Sequence, residues 1–202
     1  MKSWLFTPFR RIAGLPALIA GLAVIALTAV LAHVAGLHTS GVLTLQLSPT
    51  LPLWVLLVQG LVNWAVMAGC LLVAGYWLGA RRFRPIDLLG TQALARAPLA
   101  LGALYLTIPP IHSQIRERTL ALLEAMPDDP SQVIAPVPYL IDALWLTVIS
   151  LPLLFMVGWL VWLMYHSYSL CCHLSGSRAV LSFTAALIAA MIISSLLLML
   201  IG

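Results

Sequence analysis

The stretch RRFRPIDLLGTQALARAPLALGALYLTIPP, residues 81–110, joins a basic start and a proline to a long apolar run that contains Arg96. Charge is scarce in the chain as a whole: 8% of the 202 residues are charged, and 62% are hydrophobic. A soluble domain carries about 25% charged residues. The composition therefore predicts an integral membrane protein in which one arginine lies deep inside a span.

Apolar runs long enough to cross a bilayer recur along the chain. A helix needs about 20 apolar residues to cross about 30 Å of hydrocarbon. Five segments meet that requirement, 14–37, 51–78, 86–108, 139–164 and 179–201. No segment alternates with a period of two residues, as the strands of a membrane β-barrel would. The expected fold is all-α, a polytopic bundle of five transmembrane helices within residues 14–202. Its outer loop, 111–138, can begin as a helix lying on the membrane.

The basic residues divide unevenly between the two sides of this bundle. Seven fall in the ends and loops of one side, Lys2, Arg10, Arg11, Arg81, Arg82, Arg84 and Arg178. The other side has Arg116 and Arg118, accompanied by four acidic residues. Because basic residues are retained on the cytoplasmic side, we expect a cytoplasmic N-terminus and an outer C-terminus. The net charge of +4 then reflects topology and contact with anionic lipid, and it gives no support for nucleic acid as a partner.

Residues 1–13 are expected to form a cytoplasmic segment at the membrane interface. Trp4, Phe6 and Phe9 supply aromatic side chains, and Arg10 and Arg11 supply positive charge next to the first span. The segment can be a short amphipathic helix in the headgroup region, or a plain aromatic and basic anchor. In both cases these five side chains are predicted to contact the interface.

Arg96 lies about ten residues into the third span, roughly 15 Å deep at 1.5 Å per residue. Insertion scales assign an arginine at the helix centre a cost of about 2.5–3.5 kcal/mol, so polar groups should compensate it. Gln92 precedes it by one helical turn, and Asn63 has a similar depth in the second span, one turn after Gln59. The sequence therefore predicts that Arg96 faces Gln59, Asn63 and Gln92.

Two interpretations of this cluster stay open. It can bind an anion or a lipid headgroup, or it can be structural, with polar side chains joining helices inside the hydrocarbon. Pro98 and Pro152 are expected to bend spans three and four and to free backbone carbonyls nearby. Asp142 lies near the outer end of span four, whereas the Arg96 side chain leans toward the inner side, so we expect no bond between them.

No pattern of catalytic or metal-binding residues is present in the sequence. Cys171, Cys172 and His173 are adjacent, so on a helix their side chains diverge instead of converging on one ion. The three cysteines imply no disulfide framework. Nucleophile, nucleotide-binding and zinc-protease motifs are lacking as well. We therefore expect a protein that is not an enzyme and has no metal or cofactor.

Two segments resemble bacterial members of the Yip1 family, RFRPIDLLGTQALARAP at the start of the third span and YHSYSLCCHLSGSRAVLSFTAALI at the start of the fifth. The resemblance runs from about Phe9 onward. It implies a five-helix bundle in the bacterial cytoplasmic (inner) membrane, and an adaptor or organising role through a membrane-protein partner. The long acidic N-terminal region of the eukaryotic relatives is lacking, so their Rab binding is not expected. The alternative function is a small transporter or lipid-handling protein that uses the Arg96 cluster. The oligomeric state stays open.

Overall fold

The computed structural model describes residues 14–38, 41–43, 46–47, 51–78, 83–124 and 137–201. The elements in these ranges are α1 (Leu15–Val34), β1 (Leu37–His38), β2 (Gln46–Leu47), α2 (Leu53–Trp77), α3 (Pro85–Leu94), α4 (Ala97–Leu106), α5 (Pro109–Glu124), α6 (Val137–Cys172) and α7 (Gly176–Ile201). The expected all-α fold is confirmed, and the two strands form a single short antiparallel pair within the described chain. The predicted interfacial segment, with Trp4, Phe6, Phe9, Arg10 and Arg11, lies outside the described residues.

Four helices, α1, α2, α6 and α7, are long and apolar enough to cross a membrane. The third predicted span is built differently, because Ala95 and Arg96 separate α3 from α4. It gives a fifth span only when Pro85–Leu106 is counted together with Pro109–Thr119, which follows at an angle of 83°. The helical start expected for the outer connection is therefore present as α5, turned sharply away from the direction of α3 and α4.

The interrupted helix formed by α3 and α4 lies at the centre of the bundle, in contact with α1, α2 and α6. Helix α7 packs mainly along α2. Met67 of α2, Leu88 of α3 and Tyr168 of α6 belong to the core between these elements. Large apolar side chains such as Leu154 and Leu181 remain exposed on α6 and α7, which suits helices surrounded by lipid.

Small residues bring α1 and α3 into backbone contact, at a surface that we call the α1–α3 seam (Ala17, Gly21, Gly90 and Ala93). A Cβ atom added at Gly21 would lie 2.4 Å from Cβ of Ala93 and 2.6 Å from its carbonyl carbon. One added at Gly90 would lie 2.6 Å from the carbonyl oxygen of Gly14. Small residues permit such close approach between membrane helices, and here they hold α3 against α1.

Helix α6, with 36 residues, is the longest of the described helices. It continues well past residue 164, where span four was predicted to end. It also passes through Pro152 without ending. His173 then adopts a left-handed backbone conformation, with φ at 52°, and the N–H of Leu174 donates to the carbonyl of Ser169 (3.2 Å). This bond pattern is that of a Schellman helix end, and it turns the chain into α7.

Candidate functional site

The break in the central helix lies at Ala95 and Arg96. Pro98, in the first turn of α4, has no N–H to donate to the carbonyl of Leu94, so one bond of the α-helical ladder is missing at this point. The N–H of Arg96 donates to the carbonyl of Ala93 (3.2 Å), and the N–H of Leu99 donates to the carbonyl of Arg96 (2.9 Å). These bonds span three residues, as in a short 3₁₀ turn. The distortion expected at Pro98 therefore takes the form of a break just before it.

The side chain of Arg96 is buried, with 4% of the residue's surface exposed. Its Nε and Nη2 atoms are buried too and make no hydrogen bond within the described part of the chain. A guanidinium has five N–H donors and no acceptor. A buried polar atom that lacks its hydrogen bond costs about 1–3 kcal/mol, and more when it is charged. Two such atoms on one buried cation favour a site that receives a negatively charged or polar group.

A cavity of about 30 Å³ adjoins Arg96. One water needs about 10–15 Å³ measured in this way, so the cavity has room for about two waters or one small ion. Its walls come from α1, α2, α4 and the loop between β1 and β2, which contributes Val42. Besides Arg96, the polar side chains in the lining are those of Thr28 and Asn63. The site is therefore a small pocket with one charge and largely apolar walls.

Two of the four residues predicted for this site, Arg96 and Asn63, line the cavity. Asn63 is 1% exposed, and its Oδ1 accepts a hydrogen bond from Oγ of Ser194 on α7. Gln59 lies one turn earlier on α2 and is buried, but it is not part of the lining. The amide of Asn63 thus connects α2 and α7 at the wall of the Arg96 cavity.

Gln92 connects α3 to α6. Its Nε2 donates to the carbonyl of Met164 (2.9 Å) and to Oγ of Ser167 (2.6 Å), and all of these atoms are buried. The residue does not line the cavity. In this structure Gln92 therefore joins two helices, which is the structural role that the sequence left open for the polar cluster.

Helix α6 holds both halves of the interrupted helix. Gln92 attaches α3 to it, and the hydroxyl of Tyr105 attaches α4 by donating to the carbonyl of Ile149 (3.0 Å). Ile149 lies within the turn before Pro152, where α6 lacks a backbone donor. The sequence did not indicate that Tyr105 bonds to α6 or that Thr28 and Val42 line the cavity, because none of these residues is unusual in its local sequence.

The guanidinium of Arg96 is the positive charge at the cavity. Arg96 is also the capping residue at the N-terminus of α4, but α3 ends only two residues earlier, at Leu94. Aligned peptide dipoles give a helix N-terminus about half a positive charge and a C-terminus about half a negative charge, so the two helix ends largely offset each other here. Asp87 of α3 lies near the start of α1, since a Cβ at Gly14 would be 3.2 Å from its Oδ1. The side chain of Asp142 lies outside the described residues, so the expectation that it does not bond to Arg96 stays a prediction.

The cysteines at the end of α6 have different surroundings. Sγ of Cys171 lies 3.6 Å from Oγ1 of Thr91, whereas Sγ of Cys172 would lie 2.9 Å from a Cβ added at Gly75. This divergence is what adjacency on a helix predicts. No group of three or more His, Cys, Asp and Glu side chains able to hold a metal ion occurs among the residues that the structure describes.

No family model, curated protein or solved structure matches this chain. Fold and site alone therefore define its class. It is a helical protein of membrane-spanning type, with an interrupted central helix and a buried arginine beside a small cavity at the interruption.

Proposed function

We propose that this protein binds an anion or an anionic headgroup at Arg96 and acts as a small transporter or lipid-handling protein of the membrane. The observation that carries the proposal is the pair of buried Arg96 atoms, Nε and Nη2, that make no hydrogen bond in the described chain beside a cavity. An anion supplies both the opposite charge and the hydrogen-bond acceptors that this guanidinium requires.

The interruption between α3 and α4 supports the same proposal. Irregular backbone at membrane depth is tolerated where it is enclosed by protein or lines a cavity. In many transporters an interrupted helix directs its half-helix N-terminus at an anionic part of the substrate. Here the interruption lies beside the Arg96 cavity, and the guanidinium supplies the positive charge that an anionic group requires.

We place the protein in a bacterial cytoplasmic (inner) membrane, with the N-terminus in the cytoplasm and the C-terminus outside. Five crossings, with α3, α4 and the bent start of α5 counted together as one span, put the two ends on opposite sides. The loop between α1 and α2 carries no charged residue, whereas Arg84 precedes α3 and Arg178 lies at the start of α7. This distribution follows the excess of basic residues in cytoplasmic loops.

Native mass spectrometry of gently extracted protein tests the proposal. The wild type should retain an anionic lipid or a small anion that Arg96→Leu does not retain. Arg118→Leu is the matched control, because Arg118 lies on α5, over the ring of Trp145, and does not line the cavity. Equal retention by the wild type and Arg96→Leu would refute the proposal.

A membrane adaptor or organising protein of the Yip1 type is the second candidate function. It is favoured by the number and order of the apolar helices and by the large apolar side chains that α6 leaves exposed to lipid or to a membrane-protein partner. A protein partner retained in fixed stoichiometry by the wild type and by Arg96→Leu, and lost on substitution of Trp4, Phe6 and Phe9, would support it. Neither candidate involves enzymatic chemistry.

A further inference from the structure

We infer that the ligand of the Arg96 cavity is one monovalent inorganic anion of halide size, in a site that Val42 of the loop between β1 and β2 helps to line. This inference rests on the proposed function and narrows its ligand from anionic groups in general to a single small ion. Three properties of the cavity lead to it: its volume, its charge and its lining.

The volume of about 30 Å³ suits a halide better than it suits a larger anion. It has room for about two waters, and a chloride or bromide ion takes up little more space than one water. A phosphate group brings four oxygen atoms, each about as large as a water. The lining residues Val42, Ala32 and Leu56 are themselves buried, so a larger anion would have to displace side chains of the core. A headgroup attached to acyl chains would have to displace them.

The charge of the lining suits a single negative charge. Arg96 is the only cationic side chain among the described residues that line the cavity. Asn63 is neutral, and the hydroxyl of Thr28 donates to the carbonyl of Val24 within its own helix (2.8 Å). A monovalent anion would neutralise the site, whereas a divalent anion would leave a net negative charge among apolar walls, which is unfavourable.

The apolar part of the lining predicts the order of preference among halides. Ile25, Leu56 and Leu99 contribute hydrocarbon and cannot replace a hydration shell. An anion that enters must therefore give up most of its water in exchange for the Nε and Nη2 donors of one guanidinium. Chloride and bromide lose water more readily than fluoride, so they should bind, and fluoride should bind much more weakly.

Equilibrium binding of radioactive chloride to the purified full-length protein in a gluconate buffer tests the inference. We expect saturable binding of one chloride per chain, with competition by bromide and with at least about tenfold weaker competition by fluoride, phosphate and sulfate. Arg96→Leu should weaken the binding by at least about tenfold, because the site loses its charge. Arg118→Leu should bind chloride as the wild type does.

A second variant keeps the test independent of the folding of Arg96→Leu. Ala32→Leu retains Arg96 but adds three carbon atoms to the cavity wall, so it should weaken chloride binding by at least about tenfold as well. Unchanged chloride binding by a folded Ala32→Leu would overturn the inference. Absence of saturable chloride binding by the wild type would also overturn it, whatever the variants do.

The remaining outcomes separate this inference from the proposed function. Vesicles that contain phosphatidylglycerol and solutions of inorganic phosphate serve as the alternative probes. Arg96-dependent binding of either probe, without chloride binding, would overturn the halide inference and leave the proposed function intact. If chloride, phosphate and phosphatidylglycerol all bind equally to the wild type and Arg96→Leu, both are refuted.

Discussion

Helix α1 meets the central helix in two ways that lie a few turns apart. In its first half, Gly21 is in backbone contact with α3 at the α1–α3 seam. In its second half, Ala29 and Ala32 face α4 across the Arg96 cavity. Both halves use small residues, so residue size on α1 does not decide between contact and cavity. The segment opposite α1 decides between them. At the seam this segment is the regular helix α3, which has small residues of its own, and at the cavity it is the interruption around Arg96.

The attachments of the central helix explain why the cavity beside Arg96 can persist inside an apolar bundle. The seam holds α3 in place at one end, and the bonds of Gln92 and Tyr105 to α6 hold both halves from the other side. Collapse of the cavity would require movement of at least one of these attachments.

Gly21→Ala should have the largest effect. The new Cβ would lie 2.4 Å from Cβ of Ala93 and also close to its backbone, which cannot move aside without shifting α3. We expect a loss of about 3 kcal/mol or more in the free energy of unfolding, measured by denaturation in detergent. Gly69→Ala is the control, because nothing lies within 4 Å of a Cβ added there. Equal stability of the two variants would contradict the close contact at the seam.

Arg96→Met should raise stability in a buffer that contains gluconate as its anion. The substitution removes a buried cation whose Nε and Nη2 make no hydrogen bond in the described chain. Replacement of buried charges by apolar groups can stabilise by about 1–4 kcal/mol, and we expect about 1–3 kcal/mol here. Addition of chloride should then stabilise the wild type but not the variant. A variant less stable than the wild type in gluconate would show that Arg96 is already well compensated.

Gly60→Ala should cost far less than Gly21→Ala, although each adds one methyl group where two helices meet, at a half-buried glycine of α2 and at a buried glycine of α1. The Cβ at position 60 would lie 3.0 Å from Cγ2 of Ile25, a side-chain methyl group of a residue that borders the Arg96 cavity, whereas at position 21 backbone atoms lie closer still. We expect a loss of at most about 1 kcal/mol in the same denaturation experiment. A loss as large as that of Gly21→Ala would mean that the cavity wall is as rigid as the seam.

Thr28→Val should have the smallest effect. The Thr28 hydroxyl lines the cavity but donates to the carbonyl of Val24 in its own helix, so its removal leaves no group outside α1 without a partner. We expect a stability change within about 0.5 kcal/mol and unchanged chloride affinity by the radioactive binding assay. A tenfold loss of affinity would show that this hydroxyl contacts the anion.

The helices could be predicted from the sequence because length and hydropathy are local properties. The apolar runs located α1, α2 and α7 to within a few residues, and the prolines at 98 and 109 lie close to the ends of the interrupted segments. Arg96 and Asn63 could be paired because depth in a membrane follows from residue count. The extension of α6 to Cys172 was not anticipated, since the polar residues after 164 suggest the end of a span.

Tertiary partners could not be predicted in the same way. Nothing near Gln92 in the sequence indicates that its amide bonds to α6, and nothing near Tyr105 indicates the carbonyl of Ile149. Val42 lies in an uncharged loop, but the structure buries it in the core beside the Arg96 cavity. These arrangements depend on which helices become neighbours, and a single sequence carries little information about that.

The length of α6 has a mechanical consequence. Its membrane-compatible part, Ala143–Cys172, has 30 residues and is therefore about 45 Å long, against about 30 Å of hydrocarbon. A helix of that length either tilts or extends into the headgroup regions, and its tilt would depend on the thickness of the surrounding lipid. Because α6 is hydrogen-bonded to the central helix on both sides of Arg96, a change in its tilt would act on α3 and α4 together. A tilt of α6 would therefore couple bilayer thickness to the surroundings of the buried cation.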